Sequence, residues 1–218
     1  MTGYFITGTD TDAGKTFVAC ALARRAVACG HRVFAFKPIE TGCQRSADGT
    51  YRGEDQEALA IAAGDWQTGA FRGLYRYALP AAPLVAAVQA ESSIDLDLIV
   101  RTARDGAKAG AATFTIVEGA GGWRVPITPQ ADMATLAGRL GWPVVVVARA
   151  GLGTINHSLL TLEAIERDGC QIAALVLSQR PSDDPAAASS NRSEIGRCWQ
   201  GSILILGSDQ SVLDGLLA

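Results

Sequence analysis

Two rhythms of hydrophobic and polar positions alternate along the chain. Short runs rich in β-branched and aromatic residues read as strands, and longer Ala- and Leu-rich stretches between them read as helices. Tyr4-Phe5-Ile6 is a first strand and Phe17 to Cys29 a first helix. Arg32 to Phe36 is a strand that ends at Lys37-Pro38, and Glu54 to Ala63 is a helix. Tyr75 to Pro83 reads as irregular, broken by Pro80 and Pro83. Ser93 to Ala109 is a helix with Ser92 or Ser93 as N-cap. Thr113 to Val117 is a strand ending at Glu118, and Met133 to Leu140 a helix. Pro143 to Ala148 is an unbroken apolar run, as expected of a strand covered on both faces. Helix Ile155 to Arg167, strand Ile172 to Leu177, helix Pro185 to Trp199 and strand Ser202 to Leu206 complete the pattern.

This order predicts an α/β fold: a single domain over residues 1–218, with a mostly parallel sheet and helices on both faces. No linker, repeat or low-complexity block divides it. Ligands of such sheets sit at the carboxyl ends of the strands. Four chemically rich loops fall there: Thr7 to Thr16, Lys37 to Thr41, Glu118 to Gly122, and Gly151 to Asn156.

Composition narrows the class. At 218 residues, with 48% hydrophobic and 19% charged residues, the chain has ordinary globular content and enough length for a sizeable core. A net charge of −3 argues against nucleic acid or an anionic membrane as partner. No run approaches the ~18 apolar residues of a membrane span, and the first residues carry no secretory signal pattern, so a cytoplasmic protein is expected. The five cysteines are scattered, with no Cys-x-x-Cys pair, and reduced thiols are expected. Cys20 and Cys29 sit on an apolar helix and read as core; His31 and His157 stand alone and read as structural.

The densest signal is Gly8-Thr9-Asp10-Thr11-Asp12-Ala13-Gly14-Lys15-Thr16, between the first strand and the first helix. Strand, glycine-containing loop, Lys-Thr and helix make up a phosphate-binding loop, the mark of a P-loop NTPase-like domain. Glycines let backbone N–H groups turn onto phosphate oxygens, and the helix N-terminus adds a positive dipole end. Lys15 reaches the β/γ-phosphates, and the Thr16 hydroxyl is placed to ligate Mg²⁺. Five residues separate Gly8 from Gly14, one more than the usual spacing.

Glu118, followed by Gly119-Ala120-Gly121-Gly122, either holds Mg²⁺ directly or through water or is a solvated acid before a flexible turn; the neighbouring phosphate loop favours the metal. Lys37 either neutralises charge on a transferring group or is a surface lysine at a strand end. Asp55 is a second Mg²⁺ ligand or merely favourable with its helix dipole, and spacing alone favours the dipole. The turn Gly151 to Asn156 either binds an anion on free N–H groups or is a plain helix start. Trp123 is a pocket wall or a hydrophobic anchor. The residues alone thus reach a Mg²⁺–nucleoside triphosphate enzyme or switch, with no acceptor named.

Four blocks together resemble the dethiobiotin synthetase family: Gly8 to Thr16, Lys37 to Gly42, Val117 to Trp123 and Gly151 to His157. They stand in family order over about residues 1 to 180. The resemblance implies ATP- and Mg²⁺-dependent closure of the ureido ring of dethiobiotin from 7,8-diaminopelargonate and CO₂. A carbamate and a carbamic–phosphoric anhydride are the implied intermediates, and ADP and phosphate are released. It further implies that Asp12, Ala13, Gly14, Lys15, Thr16, Phe17 and Glu118 bind the nucleotide. Lys15 and Lys37 would be catalytic, and Thr16, Asp55 and Glu118 would hold Mg²⁺. Thr11, Lys37, Thr41 and Gly121 would bind the diamine or its carbamate. Leu152, Gly153, Thr154 and Asn156 would bind the carboxylate tail across the interface of a homodimer.

Two departures bear on the base. Where many relatives carry an adenine-reading Asn, this chain has Leu177-Ser178-Gln179-Arg180, and Leu206-Gly207-Ser208-Asp209 replaces a downstream Gly-x-Ile-Pro. Weak discrimination among nucleoside triphosphates is therefore expected. A partitioning-type switch ATPase is the competing class, but the extra lysine such proteins carry early in the loop is replaced here by Thr9, Asp10 and Thr11. A cobyrinate-type ligase domain would normally belong to a longer chain.

Overall fold

A computed structural model describes residues 2–217. In chain order the elements are β1 (Thr2–Gly8), α1 (Lys15–Ala28), β2 (Val33–Phe36), β3 (Ile39–Thr41), β4 (Gln44–Arg45), β5 (Tyr51–Arg52) and α2 (Glu54–Ala62). There follow β6 (Tyr75–Tyr77), α3 (Pro83–Gln89), α4 (Leu96–Ala109), β7 (Phe114–Gly122), β8 (Pro126–Thr128), β9 (Ala131–Asp132) and α5 (Met133–Leu140). The last are β10 (Val144–Arg149), α6 (Thr154–Arg167), β11 (Ile172–Ser178), α7 (Pro185–Cys198) and β12 (Ile203–Leu206). Short 3-10 turns cover Gly69–Arg72 and Ser211–Leu216.

Six strands form one sheet in the order β12-β11-β10-β1-β7-β2, and every pairing in it is parallel. Side chains alternate across a strand, so the two faces collect different residues. On one face Phe5, Phe36, Val117 and Val146 join α3, α4, α5, α6 and α7. On the other, Tyr4, Ile6, Ile116 and Val147 meet α1, α2 and the turn around Leu213. Both faces are dry, which is why β10 reads as uninterrupted valine. The single mostly parallel α/β domain expected from the pattern is the one observed.

Several expectations are corrected. Tyr75 to Pro83 is not irregular throughout: β6 pairs parallel with β3 in a separate small sheet, and Pro83 opens α3 instead of breaking it. Proline at the first helical position loses nothing, because that N–H has no intrahelical partner. Helix α4 starts at Leu96, and its cap is Asp95, whose Oδ1 accepts from the backbone N–H groups of Asp97 and Leu98. Neither Ser92 nor Ser93 caps it. Strand β7 runs on from Glu118 through Gly122, because Gly122 still pairs with Gly8 of β1. Cys20 is core as expected, but Cys29 is exposed at the end of α1. The two-stranded pairs β4/β5 and β8/β9 have too few residues to show a period in the sequence.

Candidate active site

The phosphate loop joins the carboxyl end of β1 to α1. Gly14 is the N-cap of α1, with a left-handed φ of 98°, and no side chain caps the helix. The first backbone N–H groups of α1 are therefore open to an anion. A Cβ on Gly14 would run into the Ser178 hydroxyl at the end of β11. The loop is tied from outside as well. Arg149 donates from Nη2 to the Thr11 carbonyl (3.3 Å), and Arg180 donates from Nη2 to the Asp12 carbonyl (3.3 Å). Asp12 itself holds a φ of 57°, unusual for a residue with a side chain. Lys15 is buried and its ammonium donates to the Asp10 carbonyl at 2.9 Å. Burial pulls its pKa down, while the Glu118 carboxylate pulls against that shift.

Beside the loop lies a charge cluster drawn from three elements. Glu118 comes from the middle of β7 and is fully buried. Its Oε1 accepts from the Thr16 hydroxyl (2.8 Å) and from the Lys37 ammonium (2.8 Å). Its Oε2 has no hydrogen-bond partner. Lys37, just past β2, also forms an ion pair with Asp55 in the first turn of α2. Burial by itself would lower the Lys37 pKa, but Glu118 and Asp55 together outweigh it and hold the ammonium above the ordinary lysine value. Lys37 is thus a paired interior cation and not a surface lysine, and Asp55 is tied to that pair as well as to its helix end.

An orphaned buried carboxylate oxygen costs free energy unless something binds it. Thr16, Asp55 and Glu118 supply a hydroxyl and two carboxylates, the hard oxygen donors that suit Mg²⁺. Among the described residues no group of three or more His, Cys, Asp or Glu side chains gathers into a self-contained metal site. Mg²⁺ takes one or two carboxylates and shares the rest of its shell with water and substrate phosphates.

A cavity of about 770 Å³ opens over loop and cluster. Thr11, Asp12, Gly14, Lys15, Thr16, Phe17, Lys37, Thr41, Asp55, Glu118 and Gly121 all line it. Ala13 is buried under the loop and lies outside the lining. Leu152, Gly153, Thr154 and Asn156 do not reach the cavity of this chain, and Leu152 is completely exposed. Trp123 is an anchor: it packs edge-on against Phe5 and donates from Nε1 to Asp168 Oδ2 at 2.7 Å. The sequence marked Pro80 and Pro83 only as breaks and Leu177 to Arg180 only as a departure from the base-reading pattern; the structure puts Pro80 to Pro83 and Ser178 to Pro181 in the cavity lining. Arg149 was missed and Arg180 was noted only in the base-reading segment; their sequence signal is that Arg149 ends β10 and Arg180 follows β11 at the carboxyl edge of the sheet.

Glu40 is a further residue that pattern alone passes over. It is buried, and burial raises its pKa against the opposing pull of the Asp55 and Gln56 backbone N–H groups.

The model of a family described as an AAA domain matches residues 2–208. An ATP-dependent dethiobiotin synthetase, BioD, from Anaeromyxobacter dehalogenans is 43% identical over 197 residues, covering 90% of this chain and 85% of that relative. The chain belongs to the dethiobiotin synthetase family. A second synthetase of this name, from Cellvibrio japonicus, is 41% identical over 184 residues, with 84% of this chain and 78% of the relative covered. Among solved structures, the signal recognition particle receptor FtsY from Elizabethkingia anophelis superposes with a TM-score of 0.55 at 13% identity. It covers all of this chain and 65% of the longer receptor. FtsY from Thermotoga maritima gives 0.53 at 15% identity, with 68% of that chain covered. These two likenesses concern the fold alone. The dethiobiotin synthetase family membership fits the cavity just described, where a phosphate loop, an interior lysine and a buried acid meet.

Proposed function

We propose that this chain closes the ureido ring of dethiobiotin from 7,8-diaminopelargonate, CO₂ and ATP. The observation that carries the proposal is the convergence of Thr16 and Lys37 on Glu118 beside the phosphate loop, with Asp55 paired to the same Lys37 ammonium. One amine of the substrate adds to CO₂ and loses a proton, giving a carbamate. A carbamate oxygen attacks the γ-phosphorus of ATP, and ADP departs with the bond electrons. The second amine then attacks the carbonyl carbon of the mixed anhydride, phosphate leaves with the bond electrons, the attacking nitrogen gives up one proton to phosphate or water, and the ring is closed. Phosphorylation turns a poor leaving group into a good one, and the rigid edge of the sheet holds the partners together.

Each residue has a task in that sequence. The loop N–H groups and Lys15 cradle the phosphates. Lys37, fixed as an ammonium, stands where negative charge passes from carbamate to phosphoryl oxygen. Thr16, Asp55 and Glu118 would hold Mg²⁺, which would supply neutralisation of the phosphate charge. Thr11, Thr41 and Gly121 line the substrate side. An amine free of its proton is already nucleophilic, so the scarcity of histidine is no obstacle.

The turn at Leu152 to Asn156, exposed at Leu152, Gly153 and Asn156 and buried at Thr154, would enter the site of a second subunit in a homodimer and bind the carboxylate tail on the N-terminus of α6. Its support is the left-handed Gly153, the absence of a side-chain cap on α6, and the bare Leu152. With Ser178 packed under Gly14, no Asn reads the base there, so CTP and GTP are expected to replace ATP in part. A strict ATP preference at equal concentrations would count against this.

The decisive experiment is phosphate release by purified protein with ATP, Mg²⁺ and bicarbonate, with and without the diamine. Release that needs both diamine and bicarbonate is expected. Equal release without the diamine would replace the ring-closing reading by a switch ATPase.

A further inference from the structure

Helix α2 is capped in an unusual way. Its N-cap residue is Gly53, which has no side chain to offer. Glu40, from the middle of β3, takes over the task. Oε1 of Glu40 accepts from the backbone N–H of Asp55 (2.9 Å), and Oε2 accepts from that of Gln56 (3.0 Å). A Cβ on Gly53 would collide with this carboxylate, so the glycine is what lets it seat. From the same turn, Gln56 Oε1 accepts from the Lys37 backbone N–H, and Gln56 Nε2 donates to the Ala35 carbonyl (3.3 Å). The Glu40 carboxylate holds the helix turn that carries Asp55, the Gln56 amide ties that turn to the strand end that carries Lys37, and the Asp55 and Lys37 side chains meet as an ion pair.

We propose that Glu40 is a positioning residue: seated on the N-terminus of α2, it fixes Asp55 against Lys37 and so sets the shape of the Lys37–Asp55–Glu118 cluster. It lines the cavity without touching the loop that cradles phosphate. Its effect belongs to the reacting geometry and not to nucleotide capture. The catalytic consequence rests on the ring-closing function proposed above; the effect on the ion pair does not.

Two variants and two readouts test the idea. Glu40→Gln keeps the shape and removes the charge and one acceptor. Gly53→Ala leaves Glu40 intact but pushes its carboxylate off the helix end. The first readout is the ammonium signal of Lys37 in ¹⁵N-lysine-labelled, nucleotide-free protein, assigned by its loss in Lys37→Arg. A buried, ion-paired ammonium exchanges slowly, and both variants should broaden or shift it. The second is kinetic: turnover should fall about tenfold while nucleotide affinity stays within about twofold, since a small misplacement in a reacting cluster costs rate before binding. An unmoved Lys37 signal in both folded variants would overturn the proposal, whatever the parent protein's activity. So would equal losses in turnover and nucleotide affinity. A parent protein without diamine-dependent phosphate release would sink the ring-closing function instead and leave the Lys37 signal as the judge of Glu40.

Discussion

The chain has two glycine-bearing turns from a strand into a helix at the same edge of its sheet. The phosphate loop leads from β1 into α1, and the turn after β10 leads into α6. Each places a left-handed glycine at the N-cap, Gly14 at φ 98° and Gly153 at φ 89°, and neither helix has a side-chain cap. Thereafter they diverge. Around Gly14 other elements bring in Lys37, Asp55, Glu118 and Ser178, and a cavity forms. Around Gly153 nothing lies within 4 Å of where a Cβ would sit, and Leu152 stands free in solvent. Asn191 of α7 supports that turn, donating from Nδ2 to the Ala150 and Gly151 carbonyls (2.8 and 3.1 Å). Local chain grammar makes an anion-ready helix end in both places. What makes one a reaction site is charge delivered by distant residues.

The difference can be broken most severely at Lys37. Lys37→Ala should lower turnover by about a thousandfold while nucleotide affinity changes little, because the interior cation acts on charge that develops in the transition state. Equal losses in both, measured by phosphate release and nucleotide titration, would deny it that role. Glu118→Gln should raise the Mg²⁺ concentration for half-maximal activity by about tenfold, by removing one of the two carboxylates of the proposed metal site. An unchanged Mg²⁺ titration would take Glu118 out of the metal's reach.

A gentler test addresses the bare turn. Leu152→Glu removes no contact within the chain, so its melting temperature should hold. Yet the diamine KM should rise about tenfold, and the protein should sediment as a monomer, if a second subunit uses this turn. A wild-type KM and a wild-type sedimentation profile together would leave the turn with no role at an interface. The smallest change compares the glycines themselves. Gly153→Ala should cost about 1–2 kcal/mol for an alanine held at positive φ and leave nucleotide binding intact. Gly14→Ala adds the collision with Ser178, and ATP titration should show binding lost. Similar nucleotide affinities in the two variants would erase the distinction.

The sequence was most readable where one residue type answers one local demand. Gly14, Lys15 and Thr16 announced their loop because phosphate binding needs those groups in that order, and the valines of β10 announced a doubly covered strand. It was least readable where the partner is far along the chain. Glu118 was expected at a strand end, yet it sits inside β7, because small residues after it allow pairing to continue to Gly122. The cap of α2 comes from Glu40 across fifteen positions, which no local capping rule detects. Asp55 reads from spacing as a dipole residue, and only the fold shows that Lys37 is waiting for it. Pro83 looked like a breaker because proline ends a helix from within but opens one at its first position.

The two guanidinium groups that hold the Thr11 and Asp12 carbonyls have a thermodynamic consequence. They brace the phosphate loop from the side away from Glu118, so the cradle is already shaped when a nucleotide arrives. Little chain has to be ordered on binding, and the heat-capacity change of association should reflect only the surface that the nucleotide covers, with no contribution from a loop that folds around it.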